Sequence, residues 1–593
     1  MADRKISTLR AFAGVFFLLL AIGFLPSCGQ AVAAPLACQR PAAGTEIAPP
    51  PDLYSANGVL KLALNYASSV DRAGRTLFCF VTPTGQQSPT LHVKPGDTIV
   101  IEFTNTLPAP PPSAPTEVMS HAANRCGASV MTVASANIHF HGTNTAPVCH
   151  SDEVIHTLVN SGQSFTYRLK IPADEPPGLY WYHPHVHGLS EAALLGGASG
   201  VLEVEGIADL QPAVAGLAAR YLVLRDQLVA NPPSQSAGAP PLPGWDVSLN
   251  YVPVSYPTYR PAVIRMTSGS KEFWRVVNAS ADTMLDLQLL YDGKAQPLRI
   301  VALDAIALGS QDGTRKGTIQ TQTHVLMAPA ARAEFIVTAP TRAVQNAMLV
   351  TRAVKTGPAG DIDPARPLAR IKAGFGFGTQ PQIVSRGEAA GRQRFEGLAE
   401  ATPTATRHLN FSEVVIPGTD RRGHRREEPG ITHFFITVDG QRPTLFNPDN
   451  PPAITTTQGS VEDWTIENRS GEIHAFHIHQ IHFLLLAVNG VAVPKSRKQF
   501  YDTYPVDFWR GKGPYPSIKV RMDFRGPVVG DFVYHCHILE HEDAGMMATI
   551  RVLPRGQTAD ESLIHSAQRP RTLAQIADPH WKFPAVCKEG LAR

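Results

Sequence analysis

Three stretches of the chain repeat one pattern of apolar and polar positions. "PTLHVKPGDTIVIEFTN" (89–105), "PAVIRMTSGSKEFWRVVN" (261–278) and "PAITTTQGSVEDWTIEN" (452–468) each open on a Pro and alternate apolar with polar residues. Each then turns at a Gly, alternates again and ends on an Asn nine residues after that Gly. Period-two alternation predicts strands, because successive side chains leave a strand on opposite faces. Gly and Pro punctuate such strands at turns. The turn glycines, Gly96, Gly269 and Gly459, lie 173 and 190 residues apart. A period that long is a whole domain and not a solenoid repeat. The pattern therefore predicts an all-β chain of three related β-sandwich domains, over 50–206, 215–395 and 405–555. Proline-rich 107–115 and 231–244 read as loops. From about 355 to 430 there is little strand pattern after "AGFGFGTQPQIV", so this region is expected to connect the second and third domains. Within it, the alternating charges of 420–428 read as a solvated loop. The polar tail, 556–593, is expected on the surface, fastened through Cys587.

Composition narrows the function classes. Across 593 residues, 53 Lys and Arg against 50 Asp and Glu leave a net charge of +3, with no basic field for nucleic acid. Charged residues are 17% of the chain and there are 51 prolines, a balance that suits a turn-rich β protein. At the N-terminus Arg4, Lys5 and Arg10 precede the apolar run 11–25 and the small residues 31–34. This is the layout of a secretory signal peptide over 1–33, cut after Ala33. The run is also short for a membrane span of about 20 residues. Export to the periplasm or medium is expected. "LPSCG" (25–29) supports a competing reading, a lipid anchor at Cys28. Apart from Cys28 and Cys536, five cysteines remain: Cys38, Cys79, Cys126, Cys149 and Cys587. An odd number in an exported protein predicts at most two disulfides and a spare thiol. Cys126 and Cys149, which bracket a His-rich motif, are the first choice of pair.

The chemistry is concentrated in histidines. "YHCHILEHEDAGMM" (534–547) follows the strand-like run "GPVVGDFV". On a strand, Cys536 faces one way while His535 and His537 face the other, so the stretch serves two metal centres. "HFHG" (139–142), "YWYHPHVHG" (180–188) and "HAFHIHQIH" (474–482) supply three more His-x-His pairs. His139 with His141, His183 with His185, His477 with His479 and His535 with His537 make eight imidazoles. Divided as two, three and three, they would hold three metal ions. His474, Cys536, His541 and a Met form a separate set, His₂Cys with a thioether, which suits a copper electron-transfer centre. Met546 is the better fourth ligand, because the Asp-Ala-Gly turn before it can bring it back; Met547 is the alternative. Structural zinc sites are closed groups of four ligands, which this spacing does not resemble.

These four motifs, in this order, resemble those of the three-domain multicopper oxidases, the family of laccases, ascorbate oxidase and bacterial copper-dependent oxidases. The resemblance covers all twelve ligand positions and roughly residues 50–555. It implies three cupredoxin-like Greek-key domains and four coppers. Type 1 copper would take His474, Cys536, His541 and Met546; type 2 would take His139 and His477. The type 3 pair would take His141, His183, His185, His479, His535 and His537. Domains 1 and 3 would supply every ligand, leaving domain 2 as a spacer that helps shape the substrate face. In the third motif Ala475 and Gln480 stand where the family commonly has Pro and Gly, which can alter the local turn. His187 and His482, beside the ligand motifs, are expected to have structural roles. His92, His121, His324, His408, His424, His433, His565 and His580 read as ordinary core or surface residues.

By the same resemblance the protein is a monomeric oxidase that takes electrons singly from a small reducing substrate and gives four to dioxygen. Electrons would enter through the edge of His541 and cross Cys536. Glu542 and Asp152 match the family's proton-relay acids, with a surface salt bridge as the competing role for Asp152. A Met ligand predicts a moderate type 1 potential. Phenols or aromatic amines are the expected donors, since no Met-rich insertion points to Cu(I). Oxidation of Mn(II) or Fe(II) would need carboxylates at the type 1 edge, which the sequence does not place. A copper-binding or assembly protein of the cell envelope, with incidental oxidase activity, is the alternative from another class.

Overall fold

The computed structural model describes residues 37–118, 126–230, 232, 242–309, 317–374, 382–384, 394–416 and 431–557. The leader with Cys28, the charged run 420–428 and the tail with Cys587 lie outside them. Among the described residues, three pairs of sheets and two short ribbons make up the β structure. The first pair, drawn from 52–204, sets a five-stranded sheet against a four-stranded one. The five strands run in the order Asp52–Tyr54, Thr90–Val93, Gly200–Val204, Gly178–His183, His139–His141. The second pair, from 218–374, has eight and six strands, and the third, from 405–553, seven and five. Neighbouring strands are often far apart in sequence, as in Greek-key sandwiches. Each pair encloses its own apolar core: around Phe103 and Phe140, around Trp274 and Phe335, and around Trp464 and Phe476.

The repeated motif is the corner of each sandwich. Thr90–Val93 lies in one sheet and Thr98–Asn105 in the other, and the chain crosses between them at Gly96. Ala262–Thr267 and Lys271–Asn278 do the same at Gly269, as do Ile454–Thr457 and Val461–Asn468 at Gly459. All three glycines have positive φ, at 86°, 71° and 103°, a region that a Cβ disfavours. The terminal Asn is fully buried in all three, and its amide donates to two carbonyls. Asn105 bonds Ala134 and Val159, Asn278 bonds Thr283 and Met327, and Asn468 bonds Glu472 and Val506. Each Oδ1 also accepts from the backbone N–H two residues on. One side chain thus closes the loops at the same end of each sandwich and satisfies polar groups that burial would otherwise strand.

One expectation is corrected. Ala405–Ile416 is a twelve-residue strand, bonded to Ile431–Val438 and Val461–Asn468; it lies within the bounds expected for the third domain, 405–555, and corrects the reading of 355–430 as a connection with little strand. Only Leu409, Asn410 and Phe411 of it are buried. Its exposed ends carry polar residues such as Arg407, which pairs with Glu462, and this masks the alternation. The favoured Cys126–Cys149 disulfide forms, and Cys38–Cys79 is a second one. Gly178–His183 is buried at every position. Its Leu179 and Trp181 pack with Ala219, Tyr221 and Val277 of the second sandwich and with Leu539 of the third. A strand covered on both faces reads as a continuous apolar run, and here it carries histidine to the junction of sandwiches.

Candidate metal centres

Strand pairing brings the histidines together. His139–His141 runs antiparallel to Gly178–His183 with His183 opposite His139, and His474–Ile478 runs antiparallel to Gly530–Cys536 with His477 opposite His535. The eight imidazoles of the four His-x-His pairs form one cage between the first and third sandwiches, none more than 1% exposed. His139 stacks on His479 at 3.9 Å between ring centroids and His141 on His477 at 4.1 Å. Donor atoms converge within 4.8 Å in the groups His139, His477, His479; His139, His141, His183; and His185, His479, His535. His537 enters no such group among the described residues, although its ring lies 5.0 Å from His141 and 5.5 Å from His183. His139 Nε2, His141 Nδ1, His183 Nε2, His477 Nε2, His479 Nδ1 and both nitrogens of His537 are buried without a partner. A buried polar atom left unpaired costs on the order of 1–3 kcal/mol, so seven in one cavity fit a site built to be filled by cations. Burial, reinforced by the neighbouring rings, holds His139, His141, His477, His479 and His537 well below the usual imidazole range and His183 at about 3. The rings are therefore neutral, the state that binds metal.

The second centre lies on the other face of the same strand. His474 Nδ1 and His541 Nδ1 are 2.9 Å apart, and Cys536 Sγ is 3.6 Å from each. Backbone N–H groups of Ala475 and Ile538 point at the sulfur, 3.3 and 3.5 Å away, donors that suit a thiolate. Burial pushes the free thiol far up, so holding it ionised calls for a cation. The two methionines part company. Met546 packs in the core that contains Cys536, and its carbonyl accepts from the Cys536 N–H at 3.1 Å. Met547 packs with Val154, Ile155, Phe446 and Val533 instead. His535 ties the centres together: its Nε2 lies 3.2 Å from His479 Nε2 and 3.4 Å from His185 Nε2, one residue from Cys536.

Both predicted acids sit at the cage. Glu542 is fully buried, with Oε2 3.0 Å from His535 Nδ1 and Oε1 3.7 Å from His185 Nδ1. Asp152, 1% exposed, is no surface salt bridge. It lies 3.0 Å from His139 Nδ1 and accepts from Phe140 N. Burial raises its pKa well above the carboxylate range against those bonds. Gln480 keeps the left-handed turn at φ 63° and donates Nε2 to Asp152 Oδ2 at 3.0 Å. His482 donates from Nε2 to Asp304 O, and His187 packs edge-on against Phe446; neither joins a donor group among the described residues.

Sequence reasoning missed two features. Asp502, in "FYDTY", forms a donor group with His141 and His477; only an isolated acid in an apolar strand run marked it. A cleft of about 190 Å³ opens at His541; its lining among the described residues includes Asp282, Asp361, Glu413, Glu472 and Glu540, with Phe434 and no Lys or Arg. His541 Nε2 points outward to Glu472 at 3.4 Å, and Phe434 stacks on the ring at 4.3 Å. Burial lifts Glu413 and Glu472 to about 7. Asp282 Oδ2 is buried without a partner. These acids come from 258 residues of chain and converge only on folding.

Three layered sandwiches with a buried imidazole cage and a His₂Cys centre at one strand end define a metal-dependent class of β protein. Residues 130–207 and 425–556 each match a family model described as multicopper oxidase, and the chain belongs to the multicopper oxidase family. A multicopper oxidase of Staphylococcus aureus is 34% identical over 121 residues, 20% of this chain and 24% of that protein. One of Staphylococcus haemolyticus is 29% identical over 157 residues, and the match spans about a third, 32%, of its length. A Mycobacterium tuberculosis multicopper oxidase is 24% identical over 80% of this chain and 86% of its own. The crystal structure of an Aquifex aeolicus multicopper oxidase variant covers 86% of this chain and all of its own at TM-score 0.60 and 18% identity. That of a Campylobacter jejuni multicopper oxidase covers 87% and 96% at TM-score 0.59 and 20% identity. These structural likenesses concern the fold. No helix among the described residues is long and apolar enough to cross a membrane.

Proposed function

We propose that the protein is a copper-dependent oxidase that draws electrons from a donor at His541 and reduces dioxygen to water at the imidazole cage. The observation that carries this reading is the run His535, Cys536, His537, which puts the His₂Cys centre and the cage on consecutive residues. Cys536, His474, His541 and Met546 would hold one copper, His139 and His477 a second, and the other six imidazoles a pair. Bound copper supplies one-electron redox centres, and four of them match the four electrons that dioxygen takes up on reduction to water. His541 spans the outer boundary, with Nδ1 at the sulfur and Nε2 in the cleft. Asp152, which burial favours as the protonated acid, and Glu542, a carboxylate whose pKa the neighbouring histidines hold low against burial, lie against cage imidazoles, where a proton-consuming reaction needs a donor and a relay. Burial of all eight rings excludes bulk water.

Phenols or aromatic amines are the first donor class. The acid-lined cleft supports a second, since a cleft of one charge sign concentrates counter-ions and carboxylates suit Mn(II) and Fe(II). The Campylobacter jejuni relative is described as a metallo-oxidase. The leader pattern and two disulfides support export. The test is oxygen consumption by copper-loaded protein offered a phenol, an aromatic amine, Cu(I), Mn(II) and Fe(II) in turn. Uptake with at least one donor is expected. Blue protein that consumes no oxygen with any of them would make it a copper-binding protein of the envelope instead.

A further inference from the structure

A buried cation of the sandwich that gives the cage no ligand grips an acid that touches the cage. Arg332 opens the strand Arg332–Thr338 of the middle sandwich and is 1% exposed. Its two terminal nitrogens grip both carboxylate oxygens of Asp502, at 2.8 and 2.5 Å. Two further N–H groups donate to Leu179 O and Ala330 O. Asp502 in turn touches both inner histidines: Oδ1 lies 3.3 Å from His141 Nε2, and its backbone carbonyl lies 2.8 Å from His477 Nδ1. A ring nitrogen facing a carboxylate carries the proton, which fixes the tautomer and leaves the opposite nitrogen with its lone pair. That opposite nitrogen, His141 Nδ1, is one of the buried atoms without a partner.

The "HFHG" glycine is cut to the same fit. A Cβ at Gly142 would lie 2.5 Å from Arg332 Nη2 and 2.6 Å from Asp502 Oδ2, so only glycine lets the backbone beside His141 lie against this ion pair. His482 closes the other side, 3.4 Å from Asp502 Oδ2. A bidentate guanidinium holds a carboxylate plane in one orientation, and here that plane is the one that meets His141.

We infer that Arg332 is a positioning residue for the cage: acting through Asp502, it fixes His141 as the tautomer that offers Nδ1, so the middle sandwich sets the metal affinity of a site to which it contributes no ligand. The inference rests on the proposed reading of the cage as a copper site. The test uses the full chain loaded with copper and reads three quantities: copper per chain under chelator competition, the electron paramagnetic resonance of the cage, and blue absorbance at Cys536 as an internal control of folding. Arg332→Gln is expected to weaken cage copper by about 10- to 100-fold, with blue absorbance per chain unchanged. Arg332→Lys keeps the buried charge without the fork; it is expected to lose cage copper in the same direction, and it carries the test should the Gln variant not fold. Because Arg332 acts through Asp502, adding Arg332→Gln to Asp502→Asn should change cage affinity less than about twofold. Full cage copper in both Arg332 variants, equal loss from both centres, or additive effects in the double variant would each overturn the inference. Wild-type protein that binds no copper in the cage would remove the reading of the site as well.

Discussion

The two faces of the strand Gly530–Cys536 carry metal sites of opposite character. On the cage face the four His-x-His pairs supply only imidazoles, the rings are sealed, and the nearby acids, Glu542, Asp152 and Asp502, each lie against a particular ring nitrogen. On the sulfur face the centre has one side open: His541 reaches a cleft lined by five carboxylates, among which Glu472 lies 3.4 Å from its Nε2. The difference teaches how one strand serves two tasks. A closed site holds a reaction away from solvent, while an open site must admit a donor and let its product leave.

The sharpest way to break this comparison is Cys536→Ser. Turnover and blue colour should fall to background while the cage keeps its copper, measured as copper per chain. Loss of copper from both centres would show that the two faces are one unit. Next in size, Glu542→Gln leaves His535 Nδ1 without its carboxylate and should lower kcat about 100-fold with little change in donor KM, read from steady-state kinetics. A third change separates the faces by donor class. Glu413→Gln with Glu472→Gln should raise KM for Mn(II) or Fe(II) about tenfold and leave KM for a phenol unaltered; equal effects on both would remove the cation reading of the cleft.

The same pair gives a smaller, pH-dependent signature. Glu413 and Glu472 have folded pKa values of about 7 against an ordinary 4.5, because burial resists their ionisation. Their contribution to stability is complete below pH 4.5 and is lost as pH rises through 7. Thermal melts of metal-free protein should show that decline, and Glu472→Gln should flatten it. The smallest effect belongs to Gln480→Gly. Relief of a left-handed turn, about 1 kcal/mol, roughly offsets the lost bond to Asp152, so the melting temperature should move by no more than about 2 °C. Slackening Asp152 should still lower kcat severalfold.

Much of the sulfur face and the cage was legible because strand alternation is a local rule. It placed His535 and His537 opposite Cys536, and it grouped the His-x-His pairs without knowledge of their partners. Met546 could be preferred over Met547 from the turn before it, and the two side chains pack in different cores, Met546 in the one that contains Cys536. Asp502 and Arg332 were not legible, since the contact joins residues 170 apart and neither has a local signature. The cleft acids were hidden for the same reason. Glu472 precedes a ligand by two positions, but Asp282 and Asp361 belong to another sandwich and are ordinary surface-type residues in sequence. Ala405–Ile416 was missed because a strand buried at only three central positions lacks the alternation that identifies strands.

The buried asparagine at each sandwich corner carries a further lesson. Asn278 makes the same two-carbonyl clasp as Asn105 and Asn468, yet its own sandwich contributes no histidine to the cage. The clasp is therefore architectural hardware, indifferent to chemistry. It offers a ruler for aligning the three units position by position, and a marker by which a unit of this kind can be recognised in a chain stripped of every metal ligand.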